Sequence, residues 1–106
     1  MQPRSEDTVF YAYIMASRRN GTLYAGSTDD LATRVHQHKV HDKTSFCGRY
    51  GVHTLVWFEA YESRETAFRR ERQIKEWRRV WKLRLIEDLN PDWRDLNDDL
   101  INLLGF

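Results

Sequence analysis

Two strand-like runs lie so close together that the chain must fold back on itself between them. VFYAYIMA (9–16) and TLYAG (22–26) are β-branched, aromatic and apolar, and Asn20-Gly21 just before the second is a hairpin turn signal. Ser27, with Asp30 three residues later, resembles a capping box and predicts a helix to about Lys39. A polar loop over 40–51 holds Gly48 and Gly51, and VHTLVWFEAY (52–61) reads as a third strand. Ser63 can cap a helix over 64–77, and a further helix from Arg79 to Leu89 stops at Asn90-Pro91. Trp93, Leu96, Leu100, Leu103 and Leu104 have the spacing of a short terminal helix. Two strands and a helix, then a strand and two helices, predict an α+β fold. Its three-stranded antiparallel sheet is flanked by helices, without βαβ units.

A chain of 106 residues suits one domain with a single core, here about 9–95, followed by an acidic tail over 96–106. Its residues are 41% apolar and 31% charged, as in a soluble globular protein. No apolar run approaches the roughly 18 residues that span a bilayer, so no membrane association is expected. MQPRSEDT at the start lacks a signal-peptide core, and Cys47 alone makes neither an intramolecular disulfide nor a C-x-x-C motif. A cytoplasmic location is the simplest expectation.

The net charge of +1 conceals an uneven distribution. Between Arg64 and Arg84 nine Lys or Arg face three Glu, whereas from Glu87 onward six acids face Arg94 alone. The basic stretch is interleaved with Phe68, Trp77 and Trp81, a combination suited to a polyanion such as nucleic acid. A solvated helix face has the same composition.

Helical phase singles out three polar residues. At about 100° per residue, Val35, His38 and Arg34 fall within about 60° of Leu31, whereas His36 points away. On the later helix Glu71 falls within about 40° of Ala67, on the side that also carries Ile74. Buried charges normally have a partner or a task. The plain alternative is a structural Arg34–Glu71 pair beside a hydrogen-bonded core histidine. His36 and His38 diverge too far to share a zinc ion with His41. The sequence contains no Gly-rich phosphate loop, G-x-S-x-G elbow or H-E-x-x-H motif.

Four segments in order, YAYIM (11–15), GTLYAGSTDDLATRVHQHK (21–39), RYGVHTLVWFE (49–59) and RERQIKEWRR (70–79), resemble the GIY-YIG nuclease superfamily. The resemblance is strongest to its small stand-alone bacterial branch. The first family motif ends at Tyr13, with Tyr11 and Ala12 for Gly and Ile; the second is Tyr24-Ala25-Gly26, with Ala for Ile. The family arginine matches Arg34, the following histidine His38, the metal-binding glutamate Glu71 and, less closely, the late asparagine Asn90. Repair-enzyme members carry a lysine where this chain has Ser27.

The resemblance implies an endonuclease that hydrolyses DNA phosphodiesters with Mg²⁺ or Mn²⁺, in repair or recombination. Glu71 is then the metal ligand, Arg34 holds the scissile phosphate, and Tyr13 is the first choice of general base. His38 relays the proton, Tyr24 orients the water or shares the role, and Gly26 lets backbone approach the substrate. Arg69, Arg70, Lys75, Arg78 and Arg79 are the expected phosphate contacts, and a homodimer or partner protein could add specificity. Bringing Tyr13 and Tyr24 to one site favours placing them directly opposite each other. That requires a hairpin loop over about 17–20, with Gly21 in a left-handed or bulge conformation. Two other readings fit the same residues: a nucleic-acid-binding module that has lost cleavage, and a protein-interaction module using the acidic tail.

Overall fold

A computed structural model of the chain describes residues 8–40 and 46–99. The elements are β1 (Phe10–Ala16), β2 (Leu23–Thr28), α1 (Leu31–Val40), α2 (Phe46–Tyr50), β3 (Thr54–Tyr61), α3 (Arg64–Glu76) and α4 (Arg79–Leu89). They form an α+β fold in which a three-stranded antiparallel sheet, ordered β2-β1-β3, has helices on both faces. The central strand is covered from both sides, which is why AYIMA is a continuous apolar run rather than an alternating one. Tyr13 and Met15 pack on Leu31 and Val35 of α1 together with Leu55 and Leu96. Ala12, Ile14 and Ala16 pack on Ile74 of α3, Ile86 of α4 and Trp93. Among the described residues no helix is long and apolar enough to cross a membrane.

The hairpin register differs from the expected one. Tyr13 pairs with Gly26 and Met15 with Tyr24, so the tyrosines are diagonal neighbours on one face rather than direct partners. The loop runs from Ser17 to Thr22, closed by Ser17 N–H to Thr22 O (3.0 Å), Thr22 N–H to Ser17 Oγ (2.9 Å) and Gly21 N–H to Arg18 O (2.9 Å). Asn20, not Gly21, takes the left-handed conformation, with φ 60°. Gly21 is needed for space, since a Cβ there would strike the Ser17 and Arg18 side chains.

The expected cap also shifts. Ser27 belongs to β2, and α1 is capped by Asp30, whose Oδ1 accepts from Thr33 N–H at 3.3 Å. The polar loop over 40–51 contains the single-turn helix α2, and its residues 41–45 lie outside those described. Ser63 caps α3 as expected, accepting from Thr66 N–H at 3.1 Å. A helical turn begins over 97–99, and the rest of the expected terminal helix lies outside the described residues.

A bulge in β3 shifts its register on β1 between Ile14 and Met15, leaving Val56 without a ladder partner. Val56 and Trp57 consequently both join the core beneath α3 and α4. Asn90 Nδ2 donates to the Val56 carbonyl (3.1 Å) and to Arg94 O (2.8 Å), while its Oδ1 accepts from Arg94 N–H (3.2 Å). Buried at 3% exposure, Asn90 is spent on holding the bulge to the segment after α4. Asn90→Ala is expected to destabilise the fold by about 1–3 kcal/mol, because it strands a buried carbonyl. Per folded molecule the variant should retain wild-type DNA binding and any cleavage activity; urea denaturation alongside those assays checks both halves.

Candidate active site at the edge strand

The site is built around β2, which has β1 on one side only. Strand alternation turns Tyr24 and Gly26 towards α1, and Leu23, Ala25 and Ser27 towards α3. On the α1 side Tyr13, Tyr24 and His38 form a mutual cluster. Tyr13 Oη and His38 Nε2 are 3.1 Å apart, and the Tyr24 ring lies 5.2 Å from His38 and 6.4 Å from Tyr13 between centroids. Tyr13 and His38 are buried, whereas Tyr24 is half-buried at the rim. Gly26 serves this cluster in an unexpected way. A Cβ there would lie 2.6 Å from Tyr13 Oη, so the missing side chain makes room for the phenol.

On the α3 side stands Glu71. Ala67, Glu71 and Ile74 are the buried residues of α3, one helical stripe as phase predicts. Ser27 Oγ donates to Glu71 Oε1 at 2.6 Å, and Lys75 Nζ lies 2.6 Å from Oε2. The Lys75 ammonium is also 6.0 Å from the Tyr24 ring centroid, so it connects the carboxylate with the rim of the tyrosine–histidine cluster. The polar residues therefore occupy both sides of an edge strand rather than one concave face.

Arg34 departs from the expected burial. It is exposed on α1, with Nη1 3.4 Å from Gln37 Oε1, and the anticipated Arg34–Glu71 pair is replaced by Lys75–Glu71. The buried arc of α1 holds Leu31, Val35 and His38. Arg34 sits just beyond that arc, and a long cationic side chain at such a margin extends to water.

The expected phosphate contacts have diverse surroundings. Arg70 lies 5.2 Å from the Trp77 ring and 5.9 Å from the Trp57 ring, with its Nε 3.4 Å from Glu59, and so acts as packing material. Arg69 pairs with Glu65 on the open face of α3 at 2.8 Å. Arg79 donates to the carbonyls of Asn20 (2.7 Å) and Gly21 (2.5 Å), pinning the hairpin loop to the start of α4. Arg78 is exposed at the N-cap of α4. Asn90 reaches none of the site residues through its hydrogen bonds. Ser27 was missed as a site residue because its capping pattern outweighed the Leu23-Ala25-Ser27 alternation that points it at α3.

Among the described residues no three His, Cys, Asp or Glu side chains converge as a metal cage. Glu71 is nevertheless suited to a hard divalent ion, which commonly takes one carboxylate and completes its shell with waters and substrate phosphate. Its carboxylate already holds a cation, the Lys75 ammonium, so its surroundings tolerate positive charge.

The chain belongs to the GIY-YIG catalytic domain family, whose model matches residues 9–84. It is 39% identical over 70 residues to UPF0213 proteins from Staphylococcus aureus strains COL and MW2, spanning 65% of this chain and 84% of theirs. It is also similar to the solution NMR structure of a UPF0213 protein from Bacillus halodurans. That likeness has a TM-score of 0.52 at 28% identity, covering 82% of this chain and 92% of the other.

Proposed function

We propose that the protein is a metal-dependent endonuclease that hydrolyses DNA phosphodiesters at the β2 edge. The observation that carries this reading is the nearly buried Glu71 carboxylate, holding a cation within reach of the Tyr24 ring. Glu71, with the Ser27 hydroxyl beside it, is the residue to hold Mg²⁺ or Mn²⁺. Such an ion would supply Lewis-acid stabilisation of the negative charge that builds up during phosphodiester hydrolysis.

The remaining roles follow from placement. Tyr24 is the better base, because Tyr13 is only 2% exposed and its hydroxyl is engaged with His38. The Lys75 ammonium, 6.0 Å from the Tyr24 ring centroid, is the cation nearest that ring's rim. Tyr24 Oη passes its own proton towards His38 and takes the proton of a water whose oxygen attacks phosphorus; the bond to the 3′ oxygen breaks, and that oxygen takes a proton from solvent. His38 and Tyr13 fix the Tyr24 ring from behind and give its proton an onward route. Arg34, exposed on α1, closes on the phosphate oxygens once DNA is present. The domain acts as a unit over residues 1–106, in the cytoplasm.

Tyr24→Phe should reduce cleavage more than Tyr13→Phe, by roughly tenfold or more if general-base catalysis is assigned correctly. Nicking by the two variants on one substrate is the check, and equal losses would return the base to Tyr13. Lys75 and a divalent ion compete for Glu71. Lys75→Ala is therefore expected to tighten Mn²⁺ binding severalfold, measured by electron paramagnetic resonance without DNA. An unchanged affinity would show that Lys75 and the ion do not share the carboxylate. The reading as a whole is tested with Mg²⁺ and Mn²⁺ on duplex, single-stranded and branched DNA. Metal-dependent nicking supports it; metal-independent binding without nicking favours the binding-module alternative.

A further inference from the structure

Beyond the edge site lies a larger depression that the proposed chemistry does not use. It encloses about 570 Å³ between the β1–β2 loop and α4, and its lining includes Arg18, Asn20, Gly21, Leu23, Arg79 and Lys82 but no Asp or Glu. Three cations without an opposing acid make an anion site. Arg79 is preorganised in it: one guanidinium nitrogen is committed to the Asn20 and Gly21 carbonyls, while a guanidinium offers five N–H donors in a rigid fork. The absence of a side chain at Gly21 keeps the loop tight around this corner.

The depression adjoins the edge site. A smaller cavity of about 160 Å³, lined by Tyr24, Lys75 and Ile74, shares both Leu23 and Lys82 with it. A cationic path thus runs beside β2 from the hairpin loop to the Tyr24 rim. We propose that the depression binds a phosphate of the same DNA strand that is cut, set apart from the scissile phosphate along β2. Leu23 to Ser27 is four residues of strand, roughly 13 Å at about 3.3 Å each, whereas successive phosphates of one strand, about 3.4 Å apart along the helix axis, are roughly 6–7 Å apart in space. The bound phosphate is therefore about two nucleotides from the cut. The substrate is a strand that continues at least that far on one side, not a dinucleotide or a terminal phosphate. This inference rests on the nuclease reading above.

The test uses the double variant Arg18→Ala/Lys82→Ala, which spares Arg79 and its loop contacts. Fluorescence anisotropy of a labelled duplex is measured across a salt series, with thermal melting to confirm folding. Losing that phosphate contact should weaken binding severalfold at low salt and reduce the slope of log K against log salt by about 0.9. On a mapped cut site, trimming the strand to one nucleotide beyond the cut on that side should raise KM for wild type. The variant should not distinguish trimmed from untrimmed DNA. Equal salt slopes for wild type and variant, with wild type binding and cutting normally, would overturn the phosphate subsite and leave the nuclease reading standing. A wild-type protein that neither binds nor cuts DNA would overturn both.

Discussion

Replacing Glu71 by Gln is expected to reduce nicking by roughly 10²–10³-fold, the scale on which removal of one preorganised charge-stabilising group acts. DNA binding should persist, and tighten slightly, because a negative charge near phosphate has gone. Stability should scarcely change. Gln keeps the size of the side chain and an oxygen to accept from the Ser27 hydroxyl, which donates at 2.6 Å. The ion pair it forfeits is with Lys75, whose side chain is 51% exposed, and such a screened pair contributes about 0–1 kcal/mol. A buried Arg34–Glu71 pair would have made the same substitution cost about 3–5 kcal/mol, but Arg34 lies in solvent. Nicking and melting temperature measured on one preparation separate the roles. A large drop in melting temperature with activity retained would make Glu71 structural.

Gly26→Ala should be the most damaging small substitution in the site. The new Cβ would come within 2.6 Å of Tyr13 Oη and 2.9 Å of its ring edge. Tyr13 has no room to retreat, being 2% exposed and packed with Met15, Leu31 and Val35. Overpacking of this kind costs about 1–3 kcal/mol, and it also disrupts the Tyr13–His38 contact behind Tyr24. A double-mutant cycle isolates the cause: with Tyr13→Ala in place, Gly26→Ala should become nearly neutral in urea denaturation. If the two losses simply add, the clash is not the reason for the glycine.

Much of this was legible in the residues. The strands, the Ser63 cap and both later helices follow from periodicity and turn chemistry, because each is decided by neighbours close in sequence. Glu71 was placed by phase alone, since α3 buries a stripe through Ala67 and Ile74. Arg34 was not, because phase locates a Cβ while the direction of a long side chain depends on what lies beyond it. The hairpin register escaped because Asn20 took the left-handed position that Asn-Gly patterns assign to either residue. Gly26 and Asn90 were singled out by the family motif, and each also has a structural contact that the motif does not announce. Gly26 answers to Tyr13, its partner across the ladder, and Asn90 to a bulge in β3 that no local pattern announces.

The link between Lys75 and both halves of the site also needed the fold, because Tyr24 and Glu71 are brought together only by the packing of α3 on β2. In sequence Lys75 stands four residues after Glu71, a spacing that permits their ion pair, but no local pattern puts it beside Tyr24.

The central claim, that Glu71 organises metal-dependent cleavage at the β2 edge, is tested most directly by nicking of supercoiled plasmid during a Mn²⁺ titration. Wild type and Glu71→Gln are compared at equal concentrations. The account predicts nicking by wild type that rises with metal, is abolished by chelation, and is absent from the variant at every metal concentration. Equal nicking by the two proteins, or none by wild type at any concentration of metal, would contradict it.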